Sequence, residues 1–290
     1  MGHNHAHDSA KNLKAAFFLN LLFACIELAG GLYTNSVAIL SDALHDIGDS
    51  LGLGVAWYFD KIAKKKRNKT YSFGYKRFTV IGALINTVVL TIGSIFIISE
   101  AIPRLLNPVM PDAQGMIILS IGGLAVNGFA AFRLSHGHSM NEKVAYLHLL
   151  EDVLGWAATL AVAITLHFHA IPILDPLLSI VISIFILYNV FKNIKASVTI
   201  LLQKTPEGVE PLKVEKMILS FPEVTEVHDC HIWTMDGQYN VLSIHVVIAQ
   251  SLLPEEIIKL KGSIKQKLAS FQIDHSTLEF EWENEACDPC

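Results

Sequence analysis

Six stretches of this 290-residue chain, at 13–32, 37–59, 79–102, 114–134, 144–168 and 172–191, are long and apolar enough to span hydrocarbon. A helix rising 1.5 Å per residue crosses a bilayer in about 20 mainly apolar residues. A helix also satisfies its own backbone hydrogen bonds, which lipid cannot do. These runs therefore predict an all-α six-helix transmembrane bundle. Composition agrees, with 17% charged residues and a mean hydropathy of +0.43, against roughly 25% charged in soluble globular chains. Pro103, Pro108 and Pro111 fall between the third and fourth runs, and Pro172 and Pro176 surround the start of the sixth, as suits loops and first helical turns. No secretory leader or myristoylation signal is expected from the opening residues.

Basic residues set the orientation. Lys11 and Lys14 precede the first run, and Lys61, Lys64, Lys65, Lys66, Arg67, Lys69, Lys76 and Arg77 follow the second. Arg133 and Lys143 flank the loop after the fourth, and Lys192 and Lys195 follow the sixth, whereas the opposite side offers only Arg104. The positive-inside rule places both termini in the cytoplasm, in agreement with an even number of spans. Residues 1–12 are then a histidine-containing cytoplasmic tail and 13–202 the membrane domain.

From about Gln203 the composition changes, and 203–290 is expected to form a small cytoplasmic α+β domain. Its order is αββαβ. A helix covers 209–220, strands cover 224–234 and 239–248 around an Asp236-Gly237 turn, Pro254 opens a helix to about 269, and a strand closes at 276–282. Helices over one sheet are the compact solution for such a pattern, and a domain of this size gains stability by pairing.

Ionisable residues inside the apolar runs carry the functional signal. SDALHDIGDS places Asp42, His45, Asp46 and Asp49 on one face of the second helix, and YLHLLEDVLG does the same for His148, Glu151 and Asp152 of the fifth. Each such group costs a few kcal/mol or more in hydrocarbon, so it faces a cavity or the bundle interior. His45-x-x-x-Asp49 and His148-x-x-x-Asp152 supply two nitrogens and two oxygens, the ligand number and types of tetrahedral Zn²⁺. Calcium and magnesium prefer six or more oxygens, and copper(I) prefers sulfur. Cadmium, cobalt, nickel and ferrous iron stay open. A group of imidazoles and carboxylates holds either a metal or protons, which predicts metal/proton antiport, with Asp42 and Asp46 relaying protons or lining the entrance. A passive channel would use the same residues. Asn20 and Glu27 share a face of the first helix, seven residues apart, where helix–helix hydrogen bonding and ion contact are both open.

Further candidate ligands lie outside the membrane. His228, His231, His245 and His275 fall on the three strands, with Asp229, Cys230 and Asp274 nearby. In a regular strand His228 and His231, three apart, point to opposite faces, so His245 and His275 would join one of them in a regulatory metal site; scattered surface histidines are the alternative. Cys287 and Cys290 form a Cys-x-x-Cys tail, half of a zinc site. His3, His5, His7, His136 and His138 make two short tracts suited to loose chelation.

SDALHDIGD, YSFGYKR, YLHLLEDVLG, VHDCHIW and DHSTLEFE together resemble the cation diffusion facilitator family, and its bacterial zinc-exporting members in particular, over Leu13 to Trp282. The resemblance implies a homodimer in the bacterial inner membrane, each subunit with six helices and a ferredoxin-like cytoplasmic domain, exchanging a divalent metal for protons by alternating access. It implies His45, Asp49, His148 and Asp152 as transport ligands, a histidine at the first position accompanying zinc selectivity. His228, His245 and His275 match positions that hold regulatory metal. After YSFGYKR, Thr79 stands where many relatives carry a glutamate, and the His-rich loop is short.

The competing class is a membrane-anchored metal sensor whose helices only report, and it could dispense with Asp49 and Asp152. No nucleophile–base pair, phosphate loop or cofactor motif suggests an enzyme, and no basic groove or aromatic platform suggests nucleic acid as a partner.

Overall fold

The computed structural model describes residues 5–135, 140–249, 252–283 and 285, with side chains from 18 onward except those of 19, 53, 134 and 140–145. Its long helices are α1 (His5–Thr34), α2 (Val37–Ala63), α3 (Phe78–Leu106), α4 (Ala113–Leu134), α5 (Met140–Phe168) and α6 (Leu174–Leu201). Among the described residues four segments are long and apolar enough to cross a membrane: Phe78–Leu106, Ala113–Arg133, Tyr146–Phe168 and Leu174–Leu201. In α1 the apolar stretch is the shorter Asn20–Thr34. Three aspartates, Asp42, Asp46 and Asp49, fall within the apolar part of α2.

Helix limits differ from the sequence pattern in instructive places. The α1 helix starts at His5, eight residues before its apolar run, so helical backbone extends into the polar tail. The α3 helix continues through Pro103 to Leu106 instead of ending before that proline. A proline removes one backbone donor. Here the lost bond falls in the last turn, and Arg104 fastens that turn by reaching Glu100 at 3.0 Å and the Asn35 carbonyl at 2.8 Å. Pro176 sits in the first turn of α6, where its missing N–H would have had no helical partner.

By chain contacts the protein divides into two compact units, Met1–Tyr58 with Gly82–Ile194, and Phe59–Ile81 with Lys195–Cys290. In the first, α4 and α5 approach closely because Gly123 faces the Trp156 indole, and a Cβ at that position would collide with the ring. Trp156 is fully buried with Ile39, Met116, Ala163 and Leu166. The start of α2 is fixed by Asp175 of α6, which accepts from the Ser36 hydroxyl at 2.5 Å and the Val37 N–H at 2.7 Å.

The second unit contains α7 (Pro211–Leu219), β1 (Val224–Thr234), β2 (Asn240–Ile248), α8 (Pro254–Ala269) and β3 (His275–Trp282), the αββαβ order expected. The sheet order is β1-β2-β3, with β1/β2 antiparallel and β2/β3 parallel. Leu242, Ile244, Val246 and Ile248 alternate onto one face and pack against Val214 and Ile218 of α7 and Leu260, Ile264 and Leu268 of α8. Both helices therefore cover the same face, and the other face carries Ser243 and His245. At the β1–β2 turn Asp236 accepts from the Gln238 and Tyr239 N–H groups while Gly237 takes a φ of 90° that favours glycine.

Candidate metal centre

The candidate centre in the helical unit is built by helical spacing within α2 and α5 and by the meeting of those two helices. One turn of α2 separates His45 from Asp49, whose Nε2 and Oδ2 lie 3.5 Å apart. From α5, His148 Nε2 stands 3.2 Å from the same Asp49 oxygen. The two imidazoles meet edge to face with centroids 6.0 Å apart. Ligand atoms of His45, Asp49 and His148 all lie within 4.8 Å of one another. Asp152 reaches this group through His148, at 3.9 Å. His45 Nδ1 is buried without a hydrogen-bond partner.

Asp42 and Asp46, on the same helix, are buried, fall outside the group whose ligand atoms lie within 4.8 Å of one another, and face Glu27 of α1. The α1–α2 packing that brings them together is anchored by Asn20, whose side-chain amide donates to the Asp46 carbonyl at 3.2 Å and to Ser50 Oγ at 3.0 Å. Helix–helix bonding, one of the two roles open to Asn20, is the one it fills. Glu27 makes no such bond: both carboxyl oxygens are buried and receive no donor.

The soluble sheet carries a second cluster, and a β-bulge creates it. His228 pairs with His245 and His231 with Ser243, so three steps along β1 match two along β2. The extra residue restores parity and puts His228 and His231 on the same face, correcting the opposite-face expectation. Asp229, inside the bulge, takes a φ of 50°. Its carboxylate lies 2.7 Å from His231 Nε2 and 3.5 Å from His245 Nε2.

Glu281 completes this set. Its oxygens lie 2.6 Å from His245 Nδ1 and 3.1 Å from His228 Nε2, and the latter contact lacks hydrogen-bond alignment. His228, His245 and Glu281 are mutually within 4.8 Å. His275 is not among them. It pairs with Val241, four positions along β2 from His245, and its ring packs edge-on against Phe73 at 5.7 Å. Glu281 escaped the sequence reading although the alternation in LEFEW holds the signal, since Glu279 and Glu281 share the face opposite Leu278 and Phe280. Cys230 packs toward the core, and burial, with the Glu215 carboxylate beside it, pushes its thiol up to about 12. Both effects favour the neutral thiol over the thiolate that binds metal. Cys287, Cys290, His3, His136 and His138 lie outside the described residues, as do the side chains of His5 and His7.

Two imidazole–carboxylate clusters, one on apolar helices and one on a soluble sheet, leave the family to be settled by comparison. Residues 13–202 match the cation efflux transmembrane domain, and residues 206–281 match the cation efflux protein cytoplasmic domain. The chain belongs to the cation efflux family. A cadmium, cobalt and zinc/H(+)-K(+) antiporter of Bacillus subtilis (strain 168) is 36% identical to this family member over 288 residues, covering 98% of this chain and 93% of its own. The metal cation efflux system protein CzcD of Cupriavidus metallidurans is 35% identical, over 97% of this chain and 90% of its own. Zinc transporter ZitB of Escherichia coli (strain K12) is 30% identical, over 98% and 93%. In all of them the similarity runs through both the membrane and the soluble parts of this cation efflux protein.

Proposed function

We propose that this protein is a secondary transporter that exports Zn²⁺ from the cytoplasm in exchange for protons, with His45, Asp49, His148 and Asp152 as the ligands of the transported ion. The observation that carries the proposal is the convergence of His45, Asp49 and His148 from two apolar helices onto one point. Bonds of about 2.0 Å at tetrahedral angles put ligand atoms about 3.3 Å apart, and the spacings here are 3.2 and 3.5 Å. Larger hard cations fit similar edges, so the two imidazole nitrogens decide against them. Asp152 is the fourth ligand in this reading. Ligands on two separate helices come apart when those helices move, which is what release to the other side requires. In the absence of metal, protons neutralise the same groups, and this makes them the counter-ion.

The wider organisation follows from the same reading: a tail at 1–12, six crossing helices within 13–202, and a ferredoxin-like cytoplasmic domain at 203–290, assembled as a homodimer in a bacterial inner membrane with both termini in the cytoplasm. His228, His245 and Glu281 hold a regulatory Zn²⁺, Glu281 taking the place expected of His275. The buried His228 nitrogens, both without an aligned hydrogen-bond partner, fit that use. Cd²⁺ and Co²⁺ form a second reading of the substrate, favoured by the names of the Bacillus and Cupriavidus relatives.

Transport into proteoliposomes carrying a metal-sensitive dye tests the proposal. Zn²⁺ uptake should run with proton counterflow, and Asp49→Ala, which removes the oxygen facing both imidazoles, should lower it by at least about 100-fold, more than the loss usual for an outer partner. Asp152→Ala should lower it strongly too. Undiminished uptake in both variants overturns the site, and faster Cd²⁺ or Co²⁺ movement reassigns the substrate.

A further inference from the structure

Glu27 is left without a role by the metal ligands, and its surroundings are chemically one-sided. It is 1% exposed, on the face of α1 that Asn20 holds against α2. No described residue donates a hydrogen bond to either oxygen. The titratable groups facing it are all acidic: Asp46 and Asp42 from α2, with Asp152 contributing from α5. Between Ala113 and Phe132, α4, which packs on the other side of α1, has no titratable side chain. A carboxylate buried in a low-dielectric interior with no donor to its oxygens is costly to keep ionised, and a proton of its own removes that cost.

We infer that Glu27 is a dedicated proton-binding site, separate from the metal ligands, that holds a proton when the transport site is free of metal and gives it up when a divalent cation arrives between His45, Asp49 and His148. This rests on the antiport reading above and adds to it a group that carries a proton without touching the ion. The step is an acid–base exchange: the carboxyl O–H of Glu27 breaks, its electron pair stays on the carboxylate, and the proton leaves for water. The positive charge of the arriving ion drives it, because a cation nearby stabilises an ionised carboxylate that its acidic neighbours otherwise oppose. When the ion leaves, Glu27 takes a proton back.

The full-length protein in detergent and in proteoliposomes, with Zn²⁺ as the probe, tests this with Glu27→Gln, which keeps shape and cannot ionise. Calorimetry in two buffers of different protonation enthalpy counts protons released per Zn²⁺ bound. Glu27→Gln should still bind Zn²⁺, about 10-fold more weakly because the linked deprotonation no longer assists it, and release about one proton fewer per ion, and zinc uptake should lose part of its dependence on the pH gradient. An unchanged proton count and pH response overturns the inference. So does loss of zinc binding in Glu27→Gln with Glu27→Asp retaining it, since Glu27 would then serve the ion itself; if both lose it, the residue is structural and the inference also falls. Asp49→Ala separates the two ideas. Abolished zinc binding there together with a normal proton count in Glu27→Gln removes only the proton site, whereas retained binding in Asp49→Ala removes the ligand site on which it depends.

Discussion

The helical unit and the soluble unit each gather imidazoles and carboxylates, but they do so by different backbone rules. In the helices a spacing of four suffices: His45 and Asp49, and His148 and Asp152, each share a face whatever the neighbouring helix does. In the sheet, proximity comes from register, with Glu281 of β3 reaching His245 of β2 and His228 of β1, while the bulge at Asp229 decides which β1 residues join. The clusters also differ in how far they satisfy themselves. His245 already has Glu281 at 2.6 Å and His231 has Asp229 at 2.7 Å, whereas the closest approach in the membrane trio is 3.2 Å. The sheet cluster is thus the more tightly paired of the two, although both His228 ring nitrogens stay without a hydrogen-bond partner.

The largest effect that would break or sharpen this contrast lies in the sheet. Glu281→Ala removes the one carboxylate facing both His228 and His245, and it should weaken Zn²⁺ binding at the soluble site by about 100-fold while the membrane site is unaffected. His275→Ala should leave that affinity within about 2-fold, because its ring faces Phe73 instead. Titration of Zn²⁺ into full-length protein that also carries Asp49→Ala isolates the soluble site. If His275→Ala has the larger effect, register does not select the ligands, and the distinction between helical and sheet clusters fails.

The same contrast explains what could be read in the chain beforehand. The pairs on α2 and α5 were legible because helical periodicity is local, and a four-residue offset inside an apolar run has few other meanings. The αββαβ order was legible for a similar reason, through Pro254 at a helix start and the Asp236-Gly237 turn between two strands. The approach of Glu281 to His228 and His245, where His275 was expected, was not legible, because a parallel β2/β3 pairing across α8 sets which residues meet, and no spacing within either strand records it. The bulge was invisible for a related reason: VHDCHIW does not reveal that one residue will be left unpaired. Glu27 was visible as a polar residue on the Asn20 face, but the absence of any donor around it is a tertiary fact.

A smaller effect tests whether the helical cluster depends on packing as well as spacing. Gly123 allows α4 to lie against Trp156, one turn from Asp152 on α5. Gly123→Val forces methyl groups into the indole, and overpacking of this kind costs about 1–3 kcal/mol. The protein in detergent should melt at a lower temperature, and zinc uptake should fall as the His148 and Asp152 pair shifts away from α2, with zinc affinity at His228, His245 and Glu281 unchanged. Gly123→Ala should do the same more weakly. Parent-like melting and uptake in Gly123→Val would show that the spacing on each helix sets the site without the α4–α5 approach.

The smallest effect concerns a ligand that the soluble cluster leaves out. Cys230 lies between His228 and His231 in sequence, yet its side chain packs against the core. Burial first, then the nearby Glu215, raises its thiol from 9.0 to about 12. A raised value means that the folded state favours the neutral thiol. The sign follows: this contribution to stability is complete below pH 9, where both states hold the proton, and is lost progressively as pH rises from about 9 to about 12. The full-length protein should therefore lose stability between pH 9 and pH 11 by more than its Cys230→Ala variant does, in denaturant melts followed by tryptophan emission, with matched behaviour at pH 7 apart from a constant offset. Cadmium gives the complementary readout, because a coordinating thiolate absorbs in the ultraviolet and nitrogen–oxygen ligation does not. Absence of that band at pH 7, with Cd²⁺ bound, places the soluble ion on imidazole and carboxylate alone; a band abolished by Cys230→Ala would mean that the thiol swings out of the core, and the sheet cluster would then be as rearrangeable as the helical one.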